Sequence, residues 1–132
     1  MRDLSPFNRI ERKPVVIILA VQPAPEETIA PILWGLEEEG VPAVLYEVAS
    51  GEAEALAKEA ATRSPLNVGI GINLDNLTIS LHHRNLPLER PLFTLRSAYL
   101  RPSHLRVLGT NAARLVKAEP LVLQDVHDQT SR

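Results

Sequence analysis

The sequence predicts a single α/β domain in which a mixed β-sheet carries helices on both faces. Three observations lead there. The chain has 132 residues, the size of one common domain and enough to bury roughly two thirds of the unfolded surface. Pro14-Val-Val-Ile-Ile-Leu-Ala-Val21 is an unbroken, β-branched run, the pattern of a strand covered on both sides. Strand and helix patterns then follow in the order β-α-β-α-β-β-β-α, which mixes crossover units with hairpins.

Residues 1–13 mix Arg, Lys, Asp, Asn and Pro without periodicity and are expected to form a mobile arm before a domain at 14–118. The run to Val21 is the first, central strand. Pro23 and Pro25 break the chain, and a helix follows, with Thr28 as the expected cap because Pro31 is best tolerated in a first turn. That helix ends at Glu39 before Gly40, a favourable residue just past a helix end, and Pro42. Ala43 to Val48 reads as a second strand and Glu52 to Thr62 as an Ala- and Glu-rich helix, stopped by Ser64-Pro65. In Asn67-Val-Gly-Ile-Gly-Ile72 the glycines alternate with Val and Ile, so another backbone or helix is expected to approach this strand closely. Leu74-Asp-Asn76 supplies turn chemistry, and Thr78, Ser80 and His82 give the returning strand a wetter face. Pro91 to Leu95 is a short apolar strand. Ser103 to Lys117 is a last helix, with Leu105, Leu108, Ala112, Leu115 and Val116 along one side. The tail, 119–132, is expected to be loosely held.

The composition narrows the function classes. A net charge of -2 gives no electrostatic footprint for nucleic acid or an anionic membrane. The chain has no cysteine, so neither disulfides nor thiolate chemistry enters. The apolar run Val15 to Val21 is too short to span a bilayer, and no secretory signal pattern opens the chain. A cytoplasmic address is expected. With one Trp, two Tyr and two Phe beside eleven Pro, an exposed aromatic would stand out as a contact residue.

Enzyme signatures are missing: there is no nucleophile elbow, no phosphate-binding loop and no His-Glu-x-x-His. Gly69 and Gly71 sit inside a strand, where a structural role fits better. His82 and His83 point to opposite faces of a strand, and His104 and His127 have no ligand at helical spacing, so all four read as ordinary surface or edge histidines.

Trp34-Gly-Leu-Glu-Glu-Glu-Gly40 is more informative. At about 100° per residue, Ile29, Ile32, Leu33 and Leu36 share one face, and Glu27, Pro31, Trp34 and Glu38 share the opposite one. The only tryptophan is thus expected outside, beside Glu38. Three consecutive carboxylates in the last turn oppose the helix dipole and one another. Such a broken local rule points to Trp34 and Glu38 facing a partner that brings a cation; the other reading is a solvated helix end with Trp34 over a loop. In Gly109-Thr-Asn-Ala-Ala-Arg-Leu-Val-Lys117, Gly109 and Asn111 are poor helix formers that close packing or an Asn-mediated contact would rationalise. Arg114 and Lys117 are candidates for an acidic surface, or Lys117, at the helix C-terminus, simply satisfies the dipole.

At these residues the chain resembles the small subunit of the reactivating factor for cobalamin-dependent diol and glycerol dehydratases. The likeness rests on Gly35-Leu-Glu-Glu-Glu-Gly-Val-Pro42, Ser64-Pro-Leu-Asn-Val-Gly-Ile70, Asn85-Leu-Pro87, Pro91-Leu-Phe-Thr-Leu95 and Gly109 to Lys117, in order across about residues 15–120. Residues 1–13, 22–31 and 96–108 resemble the family less.

The resemblance implies a three-layer α/β/α fold with a five-stranded mixed sheet, like the dehydratase medium subunit and anticodon-binding domains. It implies a large partner subunit with an actin-like ATPase core, assembled as two large plus two small subunits. That complex acts as a chaperone, releasing damaged cobalamin from inactivated dehydratase. ATP or ADP and Mg²⁺ belong to the large subunit, and this chain alone is expected to bind no cofactor and to have no active site. Glu38, the middle carboxylate, is the residue implied to reach the large subunit's Mg²⁺, an oxygen ligand suited to a hard cation. The expected interface is Glu27, Pro31, Trp34 and Glu38, with Asn111 and Arg114 assigned to interface or packing. Association with a bacterial microcompartment is left open. The competing reading is a cobalamin-binding medium subunit of the dehydratase, or a fragment of it; a small stand-alone enzyme would need a nucleophile or acid/base pair that the sequence does not name.

Overall fold

The structure, a computed structural model, describes residues 13–96 and 100–122. The expected arm, apart from Lys13, and the end of the expected tail from residue 123 lie outside the described residues. The elements follow as β1 (Val16–Val21), α1 (Glu26–Glu38), β2 (Ala43–Val48), α2 (Ala53–Arg63), β3 (Val68–Asn73), β4 (Thr78–His83), β5 (Phe93–Arg96) and α3 (Pro102–Lys117). One five-stranded sheet runs in the order β2-β1-β3-β4-β5. β1 pairs in parallel with β2 and β3, and β3-β4-β5 is an antiparallel meander. β1 is therefore interior, while the middle strand is β3.

Alternation along β1 divides the core. Val16, Ile18 and Ala20 face a layer built by Ile29, Ile32 and Leu36 of α1 with Leu105, Leu108 and Ala112 of α3. Ile17, Leu19 and Val21 face Leu56 and Ala60 of α2 on the other side. All six residues of β1 are buried, which is why its sequence is apolar without a break.

The two glycines of β3 let α2 lie directly on the sheet. A Cβ on Gly69 would fall 2.2 Å from the Ala61 nitrogen, and one on Gly71 would fall 2.1 Å from the Ala53 carbonyl oxygen. The alanines of α2 complete this close contact from the helix side, with Ala57, Ala60 and Ala61 fully buried.

Two expectations about β4 change. Its Ser80 and His82 are buried, because α2 covers that face and β5 pairs the far edge. The polar groups are satisfied inside: Ser80 Oγ lies 2.8 Å from Thr94 Oγ1, and His82 Nε2 lies 3.2 Å from the Leu88 carbonyl. The His83 amide N–H donates to His82 Nδ1 at 3.1 Å, so the Nε2–H tautomer meets both partners. His82 is thus a core residue that anchors the segment after β4. Lys58 Nζ holds the same segment by donating to the Arg84 carbonyl at 2.5 Å and the Leu86 carbonyl at 2.6 Å.

The first helix begins earlier than expected. Pro25, in extended conformation, is the N-cap, and Pro31 sits in the second turn, where it withholds the N–H that would bond the Glu27 carbonyl. Thr28 is inside the helix and its amide bonds the Pro25 carbonyl at 3.0 Å.

Candidate surface at the crossing of the first and last helices

α1 and α3 make the most extensive helix–helix contact of the described residues, and two glycines permit it. A Cβ on Gly35 would fall 2.1 Å from the Arg106 carbonyl oxygen, and one on Gly109 would fall 2.0 Å from the Ile32 carbonyl oxygen. The backbones touch at this crossing, so Gly109 is a packing residue. Asn111, also buried, works differently: its Oδ1 accepts the Val122 N–H at 2.6 Å and its Nδ2 donates to the Val122 carbonyl at 3.1 Å. The side chain imitates a paired strand and ties the chain after α3 back onto that helix.

This crossing revises the expected outward stripe of α1. Glu27, Trp34 and Glu38 are exposed, Trp34 to 52%. Pro31 is buried, on the turn before Gly35, because α3 closes over that side of the helix. The buried arc of α1 is accordingly wider than its apolar residues alone indicate. Trp34 is not alone in its exposure; Leu77 and Leu88 are exposed to a similar degree at 48% and 51%, both outside helices.

The three carboxylates at the end of α1 divide among three environments. Glu38 is gripped from α3 by Arg106, whose Nε donates to Oε1 at 3.1 Å and whose second prong donates to Oε2. Glu39 accepts from Lys117 Nζ at 2.9 Å and from Arg114 at 3.4 Å, and Lys117 also donates to the Glu39 carbonyl at 3.0 Å. The Lys117 ammonium holds the Glu39 carboxyl below its usual range, with Arg114 adding to the effect, and Glu39 in turn raises Lys117. Arg114 further donates to the Pro120 carbonyl at 3.4 Å. Glu37 makes no ion pair among the described residues.

Within this chain, Glu38 thus already meets a cation from the last helix. Arg106 lies in 96–108, one of the stretches that resemble the family less, and is not among the expected site residues. A signal was present: Arg106, Arg114 and Lys117 are spaced by eight and three, a basic stripe able to answer the acidic end of another helix.

Two open clefts meet at this helix end. Trp34, Glu37, Glu38 and Arg106 line one. Leu33, Leu36, Glu37, Gly40, Val41, Pro42 and Ala43 line the other, at the start of the edge strand β2. Glu37 is the wall they share. Among the described residues no three His, Asp or Glu side chains converge on a point that could hold a metal ion. This end of the molecule thus brings Glu37 and Glu38 together with Arg106 beside the exposed Trp34.

The family model described as dehydratase medium subunit matches residues 13–122. The propanediol dehydratase-reactivating factor small subunit of Citrobacter freundii is 47% identical over 90 residues, covering 67% of this chain and 74% of that one. The chain belongs to the family of dehydratase-reactivating factor small subunits. Among solved structures, a glycerol dehydratase reactivase chain superposes with a TM-score of 0.77 at 37% identity, covering 84% of this chain and 98% of that one. A chain of the diol dehydratase-reactivating factor, solved in complex with ADP and Mg²⁺, gives 0.77 at 36%, covering 85% and 100%. Both solved chains are thus matched over nearly all of their length by most of this chain. No helix of the described residues is long and apolar enough to cross a membrane.

Proposed function

We propose that this chain is the small subunit of an ATP-dependent reactivating factor, assembled two-plus-two with a large ATPase subunit, that frees damaged cobalamin from inactivated diol or glycerol dehydratase. It contributes no active site. ATP or ADP and Mg²⁺ reside on the large subunit, and the small subunit docks there and departs when the dehydratase takes its place. The observation that carries the reading is the likeness, over 85% of this chain and all of the other, to a chain of a factor solved with ADP and Mg²⁺.

The α1 end fits a docking role. Trp34 offers an exposed aromatic anchor of the kind that dominates interfaces. Glu38, half exposed and paired with Arg106, adds one carboxylate oxygen in this reading to a cation whose other ligands come from the partner. Glu27 lies on the same exposed side. Asn111 and Arg114 are engaged within the chain and are assigned to packing.

The test is assembly with the purified large subunit. Glu38→Ala is expected to weaken co-purification or change the ATPase rate of the complex; unchanged values of both would remove Glu38 from the interface. The second reading, a cobalamin-binding medium subunit, draws on the family model's description. Titration of the isolated chain with cobalamin decides it, and no spectral change is expected.

A further inference from the structure

The Glu38 carboxylate already has a cation before any partner arrives. Arg106 meets it with two prongs, and the placement follows from the helix crossing. Because Gly35 abuts the Arg106 carbonyl, Arg106 is fixed at backbone contact with the turn that carries Glu38. Thr110 Oγ1 donates to that same carbonyl at 3.1 Å. The charged ends remain open: the Arg106 and Glu38 side chains are 52% and 48% exposed, and both line the cleft walled by Trp34. Glu37 lines it too, so this cleft holds two carboxylates and one guanidinium.

We infer that Arg106 is an intramolecular competitor for docking: it holds Glu38 in the unassembled chain and yields it to a cation presented by the large subunit. The inference rests on the docking role of Glu38 argued above. An exposed ion pair is weak enough to exchange partners without unfolding, since water screens both its formation and its loss. The cleft also carries one negative charge in excess, so a cation can enter it while the released guanidinium turns to Glu37. The exchange leaves no charge stranded. It also lowers the affinity of the free chain for its docking place, which favours a subunit that must leave again.

The test measures the dissociation constant of the full chain for the purified large subunit with ADP and Mg²⁺ present. Glu38→Gln is expected to weaken binding. Arg106→Gln is expected to tighten it by about two- to fivefold, and Arg106→Lys, which keeps the charge but loses the two-pronged grip, by less. In the Glu38→Gln background the Arg106→Gln change is expected to have no effect, because nothing is left to compete for. Circular dichroism and urea titration check that each variant is folded. If Glu38→Gln weakens binding while Arg106→Gln also weakens it or leaves it unchanged, the competitor role is overturned and the docking reading survives. If Glu38→Gln changes nothing, both fall. A chelator arm identifies the incoming cation: a Glu38→Gln penalty that vanishes without Mg²⁺ supports exchange onto the metal, and one that persists supports exchange onto a basic side chain.

Discussion

One methyl group separates Gly35 from alanine, and the crossing has no room for it. The added carbon would stand 2.1 Å from the Arg106 carbonyl oxygen, a backbone atom that cannot swing away. Gly35→Ala is therefore expected to destabilise the fold by about 1–3 kcal/mol in urea titration, by forcing α1 and α3 apart. Glu39 and Lys117 set a second expectation at this scale. The Glu39 carboxyl titrates below its ordinary 4.5 because Lys117 donates to it. A group with a depressed folded pKa stabilises the native state above its unfolded value and loses that contribution as pH falls through the folded one. Lys117, raised above 10.5, contributes below that value and loses the contribution as pH rises through the folded pKa. In Lys117→Met the loss of urea stability from about pH 6 to about pH 3 is thus expected to be shallower than in the parent chain.

Helices α1 and α3 act as one element, joined at the two glycines and again through their charged ends. Their ion pairs explain how α1 tolerates three acids against its dipole: two of the three are met by cations from α3. Asn111 extends α3's reach to the chain beyond it. Asn111→Ala would strip the Val122 N–H and carbonyl of their partner, and is expected to cost about 1–3 kcal/mol. Hydrogen exchange at the Val122 amide is the direct measurement, and protection there should be lost. On the other face, β4 carries polar side chains under a helix, and it does so only because Ser80, Thr94 and His82 find partners inside.

For the whole molecule, the sheet with one helix on one face and two on the other leaves the end of α1 beside the edge strand β2. Trp34 stands there without a role in the core. Trp34→Ala is expected to shift folding stability by no more than about 0.5 kcal/mol. Its assembly with the large subunit is expected to weaken by about 2 kcal/mol or more, as for a central aromatic anchor. Comparing thermal melts with binding isotherms of the one variant separates the two quantities. A large loss of stability with little loss of binding would make Trp34 a structural cover instead.

Local pattern alone determined much of this protein. Strand and helix identities follow from periodicity and punctuation, because an apolar run between prolines or an Ala-rich stretch ended by Ser-Pro leaves the backbone few choices. The paired glycines of β3 likewise announced a close neighbour, since bare backbone in a strand interior has few other uses. Tertiary structure decided which neighbours the side chains meet. Pro31 looked outward on a helical wheel and is buried by α3; His82 looked like an edge residue and is sealed under α2. Arg106, 68 residues from Glu38 along the chain, became its counter-ion. A helical wheel records angles within one element, whereas burial and charge pairing depend on distances between elements, and only the packed fold supplies those.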